Sequence, residues 1–237
     1  MKKNAAYTLF RRAIGSNLEP VWAAKWPREA LAKRKAEIGN AAFARGYRLT
    51  PVAEDELVIR PEWVQYWDTR PATFEQIILS VDPAVSAKAT ADASALVVLG
   101  KSDSTVYCLA AMAKRVSMSG LIELIAIMND AWHPNTIVFE SNGAFDAVRE
   151  LLVRHASFGS KVIGVKQSKS KLMRATALSV SVQAGTFLLK NDDSQRDLFE
   201  EMTSFPFGEH DDLLDAAGTG VNYLLSAKPE PRVWVLG

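Results

Sequence analysis

Gln76-Ile-Ile-Leu-Ser-Val-Asp82 is the stretch of sequence that decides the fold. Its apolar run is typical of a buried β-strand, and the run ends on an acidic residue. Two more strands are predicted after it, over residues 94–99 and 105–110, with a turn at residues 100–104 between them. Because the connections between these three strands are short, we expect an antiparallel meander.

Beyond this meander, helical and strand patterns alternate along the chain. Helices are predicted over residues 120–132, 143–155, 171–183, 195–203 and 211–225. Strands are predicted over residues 136–139, 161–165 and 186–189, the last of these as a short edge strand. This order indicates an α/β protein with a mixed central sheet flanked by helices. We assign this domain to residues 75–228 and a C-terminal tail to residues 229–237.

The first 74 residues are typical of a helical and extended connector rather than of a self-sufficient domain. A helix is predicted from Pro27 to Gly39, because proline suits the first helical position and glycine the end. Its apolar stripe is thin, so we expect it to lean on a partner surface. Three prolines then interrupt a segment that is predicted to be extended, namely Pro51, Pro61 and Pro71.

Basic and acidic side chains are distributed unevenly along the chain. The formal net charge of the 237 residues is only +1, which by itself argues against a nucleic-acid partner. Residues 1–48, however, hold 11 basic and 3 acidic side chains, whereas residues 71–237 hold 15 basic and 19 acidic ones. A basic arm joined to a mildly acidic body is compatible with binding to nucleic acid.

Cysteine content and hydropathy exclude several classes of protein. Cys108 is the only cysteine, which excludes a disulfide framework and a cysteine-built zinc site. There is no run of about 18 apolar residues, so no membrane-spanning helix is predicted. The composition, with 48% hydrophobic and 23% charged residues, is that of an ordinary globular protein.

Acidic residues end two of the predicted strands and begin the last predicted helix. Asp82 and Glu140 follow apolar strands, at the edge where α/β sheets present their binding sites. Asp212 and Asp215 are one helical turn apart and share a face of the last helix. Asp211 either points elsewhere or serves as the N-cap.

These carboxylates predict a metal site when they are taken together. Each one alone is more often a turn or cap residue, so the informative feature is the set, in the order first strand, fourth strand, last helix. Carboxylates that converge on one point cannot all stay ionised without a compensating cation. Oxygen ligands without cysteine favour Mg²⁺ or Mn²⁺. Two such ions about 4 Å apart are an established device for displacement at phosphate.

The same order of acids resembles the RNase H-like nuclease superfamily, and more narrowly the C-terminal nuclease domain of the large terminase subunits of tailed phages. Segments between Trp26 and Pro51 are similar to the part of that family which follows its ATPase motor, so the resemblance covers most of the chain. Five stretches carry the match to the nuclease domain, and the last of them is the most specific. They are Ile78-Leu-Ser-Val-Asp82-Pro, Thr90-Ala-Asp92-Ala-Ser-Ala-Leu-Val-Val, Ile137-Val-Phe-Glu140-Ser-Asn-Gly143, Lys171-Leu-Met-Arg174-Ala and His210-Asp-Asp-Leu-Leu-Asp215-Ala.

The resemblance implies which acids form the catalytic centre. Asp82, Glu140 and an acid of the last cluster would carry two ions, Mg²⁺ or Mn²⁺. Within that cluster, helix geometry favours Asp212 and Asp215 as catalytic and metal-binding residues, with Asp211 as the fallback.

The resemblance also implies roles around the centre. Asp92 matches a family acid near the metals and would hold a water molecule there. His210 either assists proton transfer or is an exposed neighbour of the helix cap. A basic stretch would hold the DNA backbone, although the same residues also fit a solvated helix face; its members are Lys166, Lys169, Lys171 and Arg174.

The function that the resemblance implies is that of a two-metal-dependent DNA endonuclease, which hydrolyses phosphodiester bonds of concatemeric viral DNA during genome packaging. The expected partners are double-stranded DNA, a separate ATPase motor, a portal and a small terminase subunit, in the cytoplasm of a bacterial host and without a membrane. The sequence has no Gly-x-x-x-x-Gly-Lys-Ser/Thr loop to hold ATP phosphates, so no ATPase activity is expected from this chain.

Two other functions stay open at this point. The first is a nuclease on the same fold that resembles Holliday-junction resolvases; it would require a symmetric dimer and branched DNA, and the terminase-like segment 22–51 argues against it. The second is a catalytically idle DNA-binding or assembly module left after loss of the motor. The presence of all the candidate acids argues against this second function.

Overall fold

The computed structural model describes residues 20–43, 46–47, 57–84, 93–141, 144–166 and 170–226. Its helices are α1 (Arg28–Phe43), α2 (Met118–Trp132), α3 (Ala144–His155), α4 (Lys171–Gln183), α5 (Arg196–Ser204) and α6 (Asp212–Ser226). Its strands are β1 (Gln65–Trp67), β2 (Gln76–Asp82), β3 (Ser94–Ser102), β4 (Thr105–Lys114), β5 (Thr136–Glu140), β6 (Val162–Val165) and β7 (Phe187–Lys190). Each helix and strand predicted from residue 76 onward is present. Among the described helices, none combines the length and the apolar character needed to cross a bilayer.

The described strands form one mixed sheet in the order β1-β7-β4-β3-β2-β5-β6. Strands β2, β3 and β4 are antiparallel neighbours, which confirms the predicted meander. Strand β5 is parallel to β2, and β6 is parallel to β5. The C-terminal ends of β2, β5 and β6 therefore meet at one edge of the sheet, which is the edge that the sequence assigns to the acids.

Side chains alternate between the two faces of the sheet, because successive residues of a strand point to opposite sides. On β2, Ile78 packs in the core that contains α4, α5 and α6, whereas Leu79 packs in the core that contains α2 and α3. By this alternation Asp82 lies on the same side as Ile78. Val138 also packs towards α6, so Glu140, two residues further on, lies on that side too.

Helix α6 packs close to the sheet, over β2 and β3. Gly220 permits the approach, because a Cβ atom there would stand 2.6 Å from Leu99 Cδ1 and 3.0 Å from Ser80 Cβ. The Ser80 hydroxyl donates a hydrogen bond of 2.7 Å to the carbonyl oxygen of Ala216. These contacts fix the position of α6 along β2, and with it the distance between the acids that the two elements carry.

Residues 57–67 pack on the sheet, although the sequence indicated a connector here. Ile59 and Val64 are buried in the core beneath α4, α5 and α6, and β1 pairs in parallel with β7. The prediction that residues 186–189 form an edge strand is therefore wrong, since β7 lies between β4 and β1. A strand of three residues is too short to show an alternating pattern, so no local signal indicated β1.

The N-terminal helix begins where the sequence predicts but is longer than predicted. Helix α1 starts directly after Pro27 and continues past the predicted end at Gly39 to Phe43. Leu31 and Phe43 are buried in a small apolar cluster of their own, and α1 contacts α5. The division into a connector (1–74), a main domain (75–228) and a tail (229–237) stays a prediction, and the tail lies outside the described residues.

Candidate functional site

Asp82 and Glu140 lie side by side where their strands end. Strands β2 and β5 are parallel, and Val81 is opposite Phe139 in their register. The residues that follow are Asp82 and Glu140, and the alternation of side chains turns both towards α6. Two apolar strands thus deliver two carboxylates to one edge of the sheet, as expected from the sequence.

The first turn of α6 carries the two other predicted acids. Asp212 is the first helical residue, and Asp215 follows one turn later. The backbone N–H of Asp215 donates to the carbonyl oxygen of Asp211 over 2.9 Å, so Asp211 occupies the N-cap position. The N–H of Ala93 donates to Asp212 Oδ2 over 3.4 Å, which connects the helix to the residue before β3.

The predicted acids form one electrostatic group around Asp82. The pKa of Asp82 is raised to about 8, first by burial and then by the negative charges of Glu140, Asp215 and Asp212. The ammonium of Lys171 acts in the opposite direction. A carboxyl group with this pKa keeps its proton at neutral pH, because burial and like charges both disfavour its ionised form.

Asp215 is held by two cations of α4. Arg174 donates to Asp215 Oδ1 from Nη2 at 2.7 Å and from Nε at 3.2 Å. Lys171 Nζ lies 3.3 Å from Asp215 Oδ2 and 2.7 Å from Asp211 Oδ1. Burial lowers the pKa of Lys171, but the hydrogen bonds and charges of Asp211 and Asp215 outweigh it and raise the pKa above its ordinary value. Both oxygens of Asp215 therefore face positive charge.

The cations predicted to bind DNA differ in how far solvent reaches them. Lys166 is exposed directly after β6, and the side chain of Lys171 is 53% exposed. The side chain of Arg174 is only 13% exposed, and its guanidinium faces Asp215, which is 5% exposed. Lys169 lies outside the described residues. Of the described members, Lys166 and Lys171 are thus the ones with most access to a phosphate backbone.

Two further residues were singled out from the sequence. Asp92 lies outside the described residues, immediately before Ala93. His210 is exposed, two residues before α6 begins. Asp82 is thus within electrostatic range of Glu140, Asp212 and Asp215, whereas His210 is at the surface near the start of α6.

Glu201 is a buried acid next to this group that the sequence analysis missed. It follows Leu198 by three residues and lies on the buried side of α5. Its Oε2 accepts hydrogen bonds from the N–H groups of Leu213, at 2.7 Å, and Leu214, at 3.1 Å. Burial raises its pKa to about 7, although these two hydrogen bonds act to lower it. A glutamate on the apolar stripe of a helix was the signal that could have found it.

The carboxylates match the oxygen chemistry that Mg²⁺ and Mn²⁺ prefer. Glu140 Oε2 is buried and accepts no hydrogen bond, while Glu140 as a residue interacts with Asp82 and is not isolated. Within the described ranges, however, no three His, Cys, Asp or Glu side chains stand close enough to hold one ion. Asp215 is ion-paired with Arg174 and Lys171 instead. The donor set fits divalent ions in its chemistry, although the carboxylates do not converge on one point in this structure.

Comparison with protein families gives one match over most of this region. A model described as the terminase RNaseH-like domain matches residues 79–224, which is more than half of the chain. The matched range begins in β2 and ends in α6, so it contains all four candidate acids. A search of curated proteins found no match.

Solved structures of large terminases share the fold at low sequence identity. A large terminase from a thermophilic bacteriophage, in its crystal form 3, has a TM-score of 0.56 at 14% identity, over 83% of this chain and 52% of that one. The large terminase nuclease of the thermophilic phage G20c with bound magnesium has a TM-score of 0.52 at 17% identity, over 70% and 96%. The nuclease domain of the bacteriophage SPP1 large terminase with bound Mn has a TM-score of 0.51 at 11% identity, over 68% and 96%. This chain spans about half the length of the first of these three proteins.

Proposed function

Because the chain belongs to the terminase RNaseH-like domain family, we propose that it is a metal-dependent DNA endonuclease of the large terminase type. The observation that carries the proposal is the set of acids around Asp82, whose pKa is raised to about 8 by burial and by Glu140, Asp215 and Asp212. Strongly perturbed carboxyl groups of this kind concentrate at functional sites. The reaction is the hydrolysis of phosphodiester bonds in concatemeric viral DNA during genome packaging.

The ligand oxygens for two divalent ions come from Asp82, Glu140, Asp212 and Asp215. Relatives from phages G20c and SPP1 with bound magnesium and Mn support this class of ion. Asp215 shares its oxygens with Arg174 and Lys171, so the larger part of the ligation falls to the other three acids. Ions held there would supply activation of a water nucleophile and stabilisation of the oxygen that leaves the phosphate.

The protein's own side chains prepare the site for a charged substrate. Asp82 keeps its proton while the site is metal-free and releases it when a positive charge stands beside it, because the cation favours the ionised form. Arg174 holds Asp215 and α6 against α4 through a pair that solvent screens little. Lys166, Lys169 and Lys171 attract the phosphate backbone, with Arg174 contributing charge from beneath the surface.

The family and the fold shared with large terminases support the proposed partners. Double-stranded DNA is the substrate. The chain spans about half the length of the thermophilic-phage large terminase that it matches over 83% of its own residues. These 237 residues contain no ATP-binding loop, so an ATPase motor outside them would supply the energy for packaging. We place the activity in the cytoplasm of the bacterial host, together with a portal and a small terminase subunit.

Nicking of supercoiled plasmid by the full chain tests the proposal, with Mn²⁺, with Mg²⁺ and with EDTA. Asp82→Asn keeps the shape of the side chain and removes its charge. Asp103→Asn makes the same chemical change in the turn between β3 and β4, at the opposite end of β2 from Asp82, and is the matched control.

We expect the parent and Asp103→Asn to nick plasmid only when a divalent ion is present. The nicking rate of Asp82→Asn should fall by more than about 100-fold, because replacing a residue that only supports metal ligands typically costs about 10–100-fold. No metal-dependent nicking by the parent would overturn the proposed function. Full activity of Asp82→Asn would overturn the assignment of the site while leaving the nuclease activity in place.

A further inference from the structure

Glu201 reaches from α5 to the first turn of α6 and binds its backbone. The first N–H groups of a helix have no acceptor within the helix itself. Here one oxygen, Glu201 Oε2, accepts from two of them, the N–H of Leu213 at 2.7 Å and that of Leu214 at 3.1 Å. The two amides lie between Asp212 and Asp215 in the chain, so the bonds are made at the turn that carries both acids.

Strand β2 binds the backbone of α6 directly after this turn. Ser80 donates to the carbonyl oxygen of Ala216 over 2.7 Å, and Ser80 is two residues before Asp82 on the same face of its strand. Glu201 and Ser80 thus hold the start of α6 from two elements. Because α5 and β2 both bind the backbone near the start of α6, the positions from which Asp212 and Asp215 leave the helix depend on these contacts.

A purely structural cap would not need to be a glutamate. Serine, threonine or asparagine at the N-cap satisfies such N–H groups without burying a charge. Glu201 is only 9% exposed, and Asp211 and Asp212 add negative charge close to it. Burying a carboxylate beside other acids carries a desolvation cost. A role of the long Glu201 side chain in orienting the neighbouring acids would explain why a glutamate is present here despite that cost.

We propose that Glu201 is a positioning residue of the metal site, which sets the orientation of Asp212 through the backbone of Leu213 and Leu214. The inference rests on the proposed function, because it concerns the affinity of that same site for divalent cations. Residues that orient metal ligands typically change metal affinity about 10–100-fold when they are replaced.

Calorimetric titration of the full chain with Mn²⁺ tests the inference without using activity. Glu201→Ala removes the acceptor, Glu201→Asp keeps the charge but shortens the reach, and Glu201→Gln keeps both the length and an acceptor oxygen. Glu200→Gln is the matched control, since Glu200 is the neighbouring residue of α5 and pairs with Arg196 near the surface. Circular dichroism and thermal unfolding establish that each variant is folded.

We expect the dissociation constant for Mn²⁺ to rise at least about 10-fold in Glu201→Ala and Glu201→Asp. Glu201→Gln and Glu200→Gln should stay within about threefold of the parent, because the hydrogen-bond geometry is kept. If Glu201→Ala does not fold, the test is the comparison of Glu201→Asp with Glu201→Gln. Weaker Mn²⁺ binding by Glu201→Asp than by Glu201→Gln then supports the inference.

Unchanged Mn²⁺ affinity in folded Glu201→Ala or Glu201→Asp would overturn the positioning role, even if their melting temperatures fall. In that case the parent still binds Mn²⁺ and the proposed function stands. A parent that binds no Mn²⁺ would overturn the proposed function, and the positioning role with it.

Discussion

Asp212 and Asp215 are one turn apart on α6, yet their surroundings differ. Asp215 is paired with the nearly buried Arg174. We expect Asp215→Asn to lower the free energy of unfolding by about 3 kcal/mol, because it takes the carboxylate away from a buried guanidinium. Asp212→Asn removes one of the charges that oppose ionisation of Asp82 and should change stability by less than about 1 kcal/mol. Urea unfolding in EDTA measures both values, and similar losses in the two variants would contradict the assignment of roles.

Asp82 makes the stability of the metal-free protein depend on pH. Its pKa is raised from 3.8 to about 8 on folding, so between these values the folded protein binds a proton that the unfolded chain has released. Stability therefore falls as the pH rises through this range, and the raised pKa of Glu201 acts in the same direction. We expect the melting temperature in EDTA to be lower at about pH 8 than at about pH 5, and this fall to be smaller in Asp82→Asn. Equal falls in both proteins would assign the effect to other groups.

Sequence reasoning reached some residues of the site and missed others for a physical reason. Asp82 and Glu140 follow from local patterns, since an apolar run shows where a strand ends and alternation shows where its last side chain points. The pairing of Asp215 with Arg174 and the contact of Glu201 with Leu213 depend on how helices dock on one another. Nothing in the spacing along the chain encodes that docking.

Two glycines of α6, Gly218 and Gly220, differ in how closely they approach the rest of the protein. A Cβ atom at Gly218 would have Arg174 O as its nearest neighbour at 3.8 Å, whereas one at Gly220 would stand 2.6 Å from Leu99 Cδ1. We expect Gly218→Ala to stabilise the protein by about 1 kcal/mol through helix propensity. Gly220→Ala should destabilise it by about 1–3 kcal/mol, because overpacking outweighs that gain. Thermal unfolding of the two variants measures their changes in stability. Changes of the same sign in both would contradict the observed packing of α6 on the sheet.

Most strands of the sheet, but not all of them, could be predicted from the sequence. Strands β2 to β6 were predicted because each has a run of apolar or β-branched residues that is long enough to recognise. Strand β1 was missed and β7 was misplaced at an edge. Their parallel pairing joins Gln65 to Leu188, and a pair so distant in sequence, on strands of three and four residues, leaves no local pattern.

At the scale of the whole molecule, the sheet depends on residues that precede the predicted domain boundary. A chain shortened to begin at Leu57 keeps Ile59, Val64 and β1, so we expect its melting temperature to stay within a few degrees of the parent. A chain that begins at Glu75 loses the burial of Ile59 and Val64, worth about 1.5–3 kcal/mol each, and exposes β7 as an edge that can pair with other chains. Calorimetry and light scattering compare the two. Equal stability of both would support the predicted boundary at residue 75.

Because α6 follows the strands in the chain, the set of four acids is completed late in synthesis. Asp82 and Glu140 belong to strands that leave the ribosome early, whereas Asp212 and Asp215 follow more than 70 residues after Glu140. A domain generally folds as a unit, so it needs all of its segments to have been synthesised. A nascent polypeptide therefore carries an incomplete set of acids until α6 docks on β2, and the proposed metal site is complete only after the synthesis of that helix.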